Sequence, residues 1–386
     1  MRAVLIVAAI LAGLALMLDL FGPTLFDRAA NRVYESPPYA VSERGRRLYQ
    51  ELFVVDLHAD SLLWERDLGQ RLEHGAVDIP RLIAGNVAIQ SFFIVTKTPW
   101  ITTVDRTPAD SDAITTLVAA QDWPEATRDS LLARALHQAY LLHRLAARSE
   151  GRLVVLKSKA DLWRYREARE KGTALVAGIL GVEGAHVLEG DLDNLDRLRE
   201  AGVRIVAPTH FFDNEVGGSA HGVDKGGLTD LGRDMLRAME SRGMLLDLAH
   251  ASPRLIDDAL ALVTQPVIVS HTGVRGTCDN NRNLSDAQLR AIAKTGGVIG
   301  IGYWNTAVCG KDAASIARAI MHATRVVGAE HVALGSDFDG AVQVPFDTTG
   351  LALIVDALLA EGMGEGDIRL VMGESALRVF NETLPD

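Results

Sequence analysis

The sequence is poor in several features that mark large classes of protein. It contains no cluster of lysine and arginine, no internal repeat and no low-complexity tract. Acidic residues outnumber basic ones by 50 to 39, and the formal net charge is −11. This balance argues against a nucleic-acid partner, because such partners are bound by basic surfaces. The acidity favours solubility, and part of it fits metal ligands whose charge a bound cation offsets.

Cysteine is almost absent, with Cys278 and Cys309 as the two copies in 386 residues. In an exported protein this pair can form a disulfide. In a cytosolic protein two buried free thiols are the default state. The cysteine count alone therefore leaves both interpretations open.

Long hydrophobic runs are also scarce, and the one that stands out spans Ala3–Leu18. It is slightly long for the core of a signal peptide and slightly short for a membrane span of about 20 residues. No small-x-small cleavage site follows it. We therefore expect residues 1–30 to be an uncleaved anchor that contacts the membrane through residues 3–21, with a cleaved signal or a buried soluble helix as alternatives. Anchor and signal both export the rest of the chain, which then faces the periplasm or the cell exterior.

After residue 50 the chain alternates between short apolar runs and longer amphipathic segments of helical period. Parallel strands that are buried on both faces have continuous apolar runs of this kind. Eight such runs are present: Leu52–Asp56, Val87–Ile94, Leu175–Val182, Val203–Ala207, Met244–Leu248, Val267–Ser270, Val298–Tyr303 and Val332–Gly335. Eight alternations of strand and helix predict a (β/α)8 TIM-like barrel, an α/β fold, in one domain over residues 31–386.

Two stretches depart from the simple alternation. Residues 24–50 read as a stalk that leads into a first helix. Residues 97–174 are too long for one connection and contain a polar stretch, a helix and a short apolar piece at residues 152–156. A long insertion after a barrel strand predicts a lid or a wall of the pocket.

Residues that bind metals or move protons gather where the predicted strands end. In a β/α barrel, the carboxyl ends of the strands form the active site. Residues scattered at random would also fall on helices and at the amino ends of strands. The clustering therefore predicts a metal-dependent active site. The set is Asp56, His58, Asp60, Glu183, His210, His250, His271, Asp337 and Asp339.

The spacing of these residues indicates how metals are bound. His58 and Asp60 are two positions apart at an extended strand end, which puts both side chains on one side. Glu183 lies between glycines that let the backbone approach a ligand closely. With His250 and His271 there are five ligands, more than the three that one catalytic zinc needs. Two zinc ions bridged by Glu183, with a shared hydroxide as the nucleophile, fit this set better.

The remaining candidates have simpler explanations. Asp56 and Asp339 fit helix caps or partners of the ligands. His186 fits a supporting position near Glu183, and His221, in a glycine-rich loop, is a weaker candidate for a substrate contact. We expect no role for five other histidines: His74, His137, His143, His322 and His331.

The motifs that contain the site residues resemble those of the membrane dipeptidases, also known as the renal dipeptidase family or peptidase family M19. The resemblance runs from about Val54 to Val379. It includes, in the order of the family, VVDLHADSLLW, GVEGAH, the PTH that ends at His210, DLAHAS, IVSHTG, NNRNLSD and GSDFDG. Members are binuclear zinc enzymes on a (β/α)8 barrel, so the resemblance implies the same fold, metals and chemistry.

The resemblance also implies which residues bind the metals. His58 and Asp60 match the ligands of the first zinc. Glu183 matches the ligand that bridges the two ions. His250 and His271 match the ligands of the second zinc.

Three further residues match catalytic or substrate-binding positions of the family. His210 matches a histidine that polarises the scissile carbonyl and stabilises the oxyanion. Arg282 matches an arginine that binds the terminal carboxylate of the substrate, for which a guanidinium fork is well suited. Asp337 matches the aspartate that carries a proton from the bridging water to the leaving amine.

The cysteines also match the family, within a residue. In mammalian members a disulfide joins the loops after the sixth and seventh strands, which implies a bond between Cys278 and Cys309 that braces the loop of Arg282. Two departures stand beside this match. After the seventh predicted strand, the stretch YWNTAVCG replaces a tyrosine-rich stretch of mammalian members. The resemblance therefore implies no contacts for the residues of this stretch. The chain ends in LPD, so we expect no lipid anchor of the mammalian kind at that end.

Three hypotheses about function follow. The first is an exported, membrane-tethered zinc dipeptidase that cleaves dipeptides with a free C-terminal carboxylate and tolerates a D-residue there. The second is a related amidohydrolase that acts on N-acyl amino acids or β-lactams. The third is a binding protein without catalysis, against which the complete set of matched catalytic residues argues. The sequence leaves the preferred side chains, the metal and the oligomeric state open, although a homodimer fits the family.

Overall fold

The computed structural model describes residues 22–64 and 66–386 of the chain. Nine strands lie within these residues, and all their pairings are parallel. They are β1 (Val54–Ala59), β2 (Val87–Val95), β3 (Leu153–Val155), β4 (Val176–Glu183), β5 (Val203–Ala207), β6 (Leu245–Leu246), β7 (Ile268–Thr272), β8 (Val298–Ile301) and β9 (Val332–Leu334). Apart from β3, they match the eight apolar runs of the sequence and are buried along their whole length.

The strands form one sheet in the order β6-β5-β4-β2-β1-β9-β8-β7, with β3 beside the start of β4. The two ends of this order meet, because Asp247, just after β6, forms a parallel bridge with Ile268 of β7. The backbone N–H of Leu248 donates to the carbonyl of Ile268 at 2.8 Å. Eight strands therefore enclose a ring, and the predicted TIM-like barrel is confirmed.

Helices follow the strands and cover the outside of the ring. Serine and aspartate side chains begin many of them, as Ser130 does by accepting a hydrogen bond from the N–H of Ala133 at 3.1 Å. They are α1 (Glu43–Gln50), α2 (Ile79–Ala84), α3 (Ala113–Ala120), α4 (Leu131–Arg148), α5 (Lys159–Glu170), α6 (Asn194–Glu200), α7 (Asp230–Ser241), α8 (Pro253–Leu260), α9 (Asp286–Lys294), α10 (Asn305–Val308), α11 (Ala313–Val327), α12 (Ala352–Ala360), α13 (Glu365–Arg369) and α14 (Ser375–Thr383).

The interior of the ring is filled at the amino end of the strands. Phe380 of α14 packs into the buried cluster there. Polar chemistry is thereby confined to the opposite, carboxyl end of the barrel. Every strand of the ring contributes to the cluster: Val55, Ile89, Ile179, Ile205, Leu245, Ile268, Val298 and Ala333.

The insertion at residues 97–174 contains α3, α4, β3 and α5. The helix predicted within this insertion is present as α4, and the apolar piece predicted at residues 152–156 is present as β3. The loop before α3 reaches the loop after β5, because the N–H of Thr107 donates to the carbonyl of His221 at 2.7 Å. This contact brings the insertion to the carboxyl end of the barrel.

The prediction of a stalk is wrong for residues 26–35, which we define as the N-terminal strap. The strap lies against the barrel, since Val33 forms a parallel bridge with Val344 after β9 and Asn31 is buried. The helix predicted near residue 43 is present as α1. The predicted anchor, Ala3–Leu18, lies outside the described residues. Within residues 22–64 and 66–386, no helix combines the length and the apolar character needed to cross a membrane.

Candidate metal centre and active site

Glu183, the last residue of β4, lies at the centre of a buried cluster of histidines and aspartates. β2 and β5 pair with β4 on its two sides at this position, which directs the carboxylate into the mouth of the barrel. Nε2 of His250 lies 3.0 Å from Oε1 of Glu183, and Nε2 of His210 lies 3.1 Å from Oε2. Each oxygen therefore has neighbours of its own, as a bridging carboxylate requires.

The other predicted site residues complete the cluster. Nε2 of His271 lies 3.4 Å from Oε1 of Glu183. Nε2 of His58 lies 3.9 Å from Oε2 of Glu183 and 3.3 Å from Oδ1 of Asp60. Oδ1 of Asp337 lies 3.9 Å from the same nitrogen of His58. The structure thus brings together all five predicted ligands, together with His210 and Asp337.

Three overlapping groups of these side chains have ligand atoms within 4.8 Å of one another. In tetrahedral zinc sites, bonds of about 2.0–2.1 Å put neighbouring nitrogen or oxygen ligands roughly 3.3 Å apart, close to several distances here. The groups also include His210 and Asp337, which the resemblance assigns to catalysis. The three groups are His58, Glu183 and His271; Glu183, His210 and His250; and His58, Asp60 and Asp337.

The donor atoms themselves fit metal ions. Among the described residues, Nε2 of His58, Oδ1 of Asp60 and Oε1 of Glu183 are buried and have no hydrogen-bond partner. Buried polar atoms are normally paired, because an unpaired one costs free energy. Coordination of a cation satisfies all three atoms at once, so the residues present fit a metal centre.

The charges of the cluster lead to the same conclusion. Burial raises the pKa of Asp60 well above its usual value, and the negative charge of Asp339 raises it further. Burial and the charges of Asp60 and Asp337 do the same to the pKa of Glu183. A divalent cation reverses both effects, because it stabilises the ionised carboxylates. Burial also lowers the pKa of His250 well below its usual value, which favours the neutral imidazole that binds metals.

Two polar residues that the sequence analysis missed orient the histidines. Oγ of Ser270 lies within hydrogen-bond distance of Nδ1 of both His58 and His271. Oδ1 of Asp247 accepts a hydrogen bond from the N–H of Ser270 at 2.8 Å. The signal was present in VIVSH and LLDLAH, where each of these residues lies close in sequence to a predicted ligand.

The backbone at two site positions is strained. His250 has a φ of 60° and Asp337 has a φ of 61°. Both values lie in the left-handed region, which residues other than glycine seldom adopt. Such strain persists where the surrounding structure imposes it, and it is often found at functional sites. Both residues follow the end of a short strand, where the turn aims the side chain into the barrel mouth.

Arg282 is buried beside the cluster of predicted ligands, on the loop after β7. Its guanidinium donates to the carbonyl of His271 at 2.7 Å and lies over the ring of Trp304, 5.6 Å from the centroid. Burial lowers the pKa of Arg282 to about 10, although the carboxylates of Asp337 and Glu183 oppose this shift. The group therefore remains a cation at neutral pH.

The implied disulfide is present. Cys278 and Cys309 are bonded and join the loop after β7 to the segment after β8. Asn283, next to Arg282, adds to this brace, because its side-chain amide donates to the carbonyl of Ala307 at 2.9 Å. The loop that carries Arg282 is thus held at more than one point.

The weaker candidates lie around the cluster, outside its three groups of ligands. Nδ1 of His221 lies 3.1 Å from the carbonyl of Val104 in the insertion, and its ring lies 5.1 Å from that of His250. Nε2 of His186 lies 3.1 Å from Oγ1 of Thr96. Asp56 accepts hydrogen bonds from Ser336 and Gln90 and so ties β1 to β2 and to the segment after β9. The five histidines without an expected role are also absent from these groups.

Comparison with known proteins agrees with this geometry. Residues 42–384 match the family described as "Membrane dipeptidase (Peptidase family M19)". A Klebsiella pneumoniae protein described as "Uncharacterized protein in pqqA 5'region" is 33% identical over 259 residues, 63% of this chain and 93% of that protein.

Two solved structures have a similar fold. A metallopeptidase from Rhodobacter sphaeroides, liganded with a phosphinate mimic of the dipeptide L-Ala-D-Ala, is 26% identical with a TM-score of 0.71, over 86% of this chain and 99% of that one. Dipeptidase AC, a metallopeptidase of family M19, is 24% identical with a TM-score of 0.70, over 87% and 99%. Since the family match covers most of the sequence, the chain belongs to the membrane dipeptidase family, peptidase family M19.

Proposed function

We propose that the protein is a binuclear zinc dipeptidase that hydrolyses dipeptides with a free C-terminal carboxylate. The observation that carries the proposal is the position of Glu183, whose two carboxylate oxygens face different predicted ligands, with Nε2 of His250 3.0 Å from Oε1 and Nε2 of His58 3.9 Å from Oε2. Membership of a dipeptidase family supports the same activity.

The five residues predicted as ligands would hold the two ions, with Glu183 shared between them. When bound, such ions lower the pKa of water and polarise a carbonyl oxygen, which supplies a nucleophile and an electrophile at neutral pH. Buried side-chain atoms of His58, Asp60 and Glu183 that have no hydrogen-bond partner among the described residues support this assignment.

The remaining residues act on the substrate and on protons. His210 lies beside Glu183 and can donate a hydrogen bond to the oxygen on which negative charge develops. Asp337 is close enough to the ligand His58 to take a proton from water there and return it to the leaving amine. In this proposal Arg282, a buried cation at the same mouth, binds the C-terminal carboxylate of the dipeptide.

The substrate class follows from the same residues and from the relatives. One buried guanidinium recognises a carboxylate, and a dipeptide places that carboxylate one residue from the scissile bond. The relative from Rhodobacter sphaeroides was liganded with a mimic of L-Ala-D-Ala. We therefore include a D-residue at the C-terminal position among the accepted substrates. The N-terminal apolar run supports export and a membrane tether for the enzyme.

A related amidohydrolase is the alternative, because the metal cluster and Arg282 also suit N-acyl amino acids and β-lactams. A panel of the three substrate classes with zinc-loaded protein separates them. The dipeptidase proposal predicts the highest kcat/KM for dipeptides with a free carboxylate and little turnover when that carboxylate is amidated. Faster turnover of N-acyl amino acids or β-lactams would favour the alternative.

A further inference from the structure

The N-terminal strap is attached to the loop that carries Asp337. Val33 forms a parallel bridge with Val344, and two backbone hydrogen bonds of 3.0 and 3.1 Å flank this bridge. Oδ1 of Asn31 accepts a hydrogen bond from the N–H of Ala341 at 2.8 Å. Strap and loop therefore form one packed unit at the mouth of the barrel.

Asp27, in the strap, has a buried carboxylate with several donors. Only 5% of its side chain is exposed. It accepts hydrogen bonds from two nitrogens of Arg66, one of them Nε at 2.7 Å. His74 lies 2.9 Å away, and the side-chain amide of Asn31 donates at 2.8 Å. A carboxylate paired in this way is part of the packed structure of the domain.

Arg66 links Asp27 to a second buried carboxylate. Its Nη1 lies 2.9 Å from Oδ1 of Asp339, and the two side chains are 1% and 0% exposed. Oδ2 of Asp339 accepts a hydrogen bond from the hydroxyl of Ser61 at 2.7 Å. Asp339 thus contacts Ser61, which directly follows the predicted ligand Asp60. It also lies on the same loop as Asp337, the proposed proton carrier.

Asp60 and Asp337 lie next to this network and have little room to move. The N–H of Asp60 donates to the carbonyl of Phe338 at 2.9 Å. A Cβ at Gly340 would lie 2.1 Å from Oδ1 of Asp337 and 2.9 Å from Oδ2 of Asp60. A displacement of residues 338–340 is therefore transmitted to both carboxylates.

We infer that the N-terminal strap is a positioning element of the metal centre. Asp27 is its positioning residue, and it acts through Arg66 and Asp339. Without the charge of Asp27, the buried guanidinium keeps one anionic partner, so Arg66 and Asp339 shift. Loss of the outer partners of metal ligands typically lowers metal affinity about 10- to 100-fold. The family match begins at residue 42, so the strap lies outside it.

The inference rests on the proposed function, because it takes Asp60 as a ligand and Asp337 as the proton carrier. Its test uses the full-length protein with Asp27→Asn, which removes the charge and keeps the size. Asn31→Ala is a milder second variant that removes the hydrogen bond to Ala341 and remains informative if the first variant fails to fold. Arg28→Gln is the matched control, since its neighbouring ion pair with Glu73 is exposed.

Zinc affinity, measured by competition with a chelator, and the visible spectrum of the cobalt(II)-substituted protein are the readouts. Because Asp27 acts through Arg66 and Asp339, we expect a loss of zinc affinity of up to about tenfold, the lower end for direct partners of metal ligands, and an altered cobalt spectrum for Asp27→Asn. We expect a smaller loss for Asn31→Ala and wild-type values for the control. Wild-type affinity and spectrum in both strap variants would overturn the positioning role alone. A wild-type protein that neither binds zinc nor cleaves dipeptides would overturn the proposed function, and the inference with it.

Discussion

The hydroxyl oxygen of Ser270 lies 3.0 Å from Nδ1 of His58, although the two residues belong to different strands, β7 and β1. The same oxygen lies 2.9 Å from Nδ1 of His271. One serine thereby turns Nε2 of both imidazoles toward Glu183. Partners of this kind fix the tautomer and the orientation of a ligand.

Substitution of Ser270 by alanine should therefore weaken metal binding without disrupting the barrel. We expect zinc affinity to fall about 10- to 100-fold, because two predicted ligands, His58 and His271, lose their orienting partner at once. Competition with a chelator measures this affinity. Ser91→Ala is a suitable control, since Ser91 is a buried serine of β2 whose hydroxyl has no partner among the described residues. Equal zinc affinity in the two variants would contradict the role of Ser270.

Asp337→Asn tests whether Asp337 carries a proton or binds a metal. As a proton carrier it should lower kcat about 10²- to 10⁴-fold and leave KM and the zinc content nearly unchanged. Steady-state kinetics with a dipeptide and metal analysis of the same sample provide both values. Because Oδ1 of Asp337 lies within 3.9 Å of Nε2 of His58, a ligand role is also geometrically open. Loss of zinc in this variant would assign Asp337 to the metal shell instead.

Arg282→Lys should act mainly on substrate binding. Lysine keeps the positive charge but cannot form the paired hydrogen bonds of a guanidinium with a carboxylate. Loss of about 1.5–3 kcal/mol of charged hydrogen bonding predicts a rise in KM of roughly 10- to 150-fold. Arg275→Lys is the control on the same loop, where the arginine contacts the carbonyl of Asn283. A fall in kcat at unchanged KM would argue against carboxylate binding by Arg282.

The strap should make stability depend on pH in acid. Burial disfavours the ionised form of Asp27, but the hydrogen bonds and charge of Arg66 outweigh it and lower the pKa of Asp27 below its usual value. The ionised group therefore stabilises the folded chain above the unfolded pKa of about 3.9, and this contribution is lost as pH falls through the folded pKa.

The measurement is the difference in free energy of unfolding between wild type and Asp27→Asn from pH 7 to pH 3. We expect about 3 kcal/mol, constant between about pH 7 and pH 5, which is the lower end for a buried ion pair that loses one partner, because Arg66 keeps its contact with Asp339. The difference should shrink below about pH 3.9. A difference that grows as pH falls would mean that Asp27 is not stabilised as an anion.

Sequence patterns predicted the barrel, and placed the proposed ligands at its mouth, for a physical reason. Parallel barrel strands are buried on both faces, so each one appears as an apolar run, and the residue that follows it lies at the barrel mouth. Glu183 and His271 could be assigned to the site on this basis alone. Their mutual distances depend on the closed ring and could not be read from spacing.

The parts that the sequence did not predict depend on tertiary partners. Ser270 looks like any serine in a strand until the ring brings it beside His58. Asp27 falls in the stretch at residues 24–50 that was predicted to be a stalk. Its burial follows from Arg66 and Asp339, and Asp339 lies almost at the other end of the chain.

The most direct test of the account is the number of zinc ions needed to restore full dipeptide hydrolysis to metal-depleted protein. The shared position of Glu183 predicts that activity rises until two zinc ions are bound per chain and then stays constant. Full activity at one ion per chain, or in the metal-depleted protein, would contradict the proposed binuclear centre.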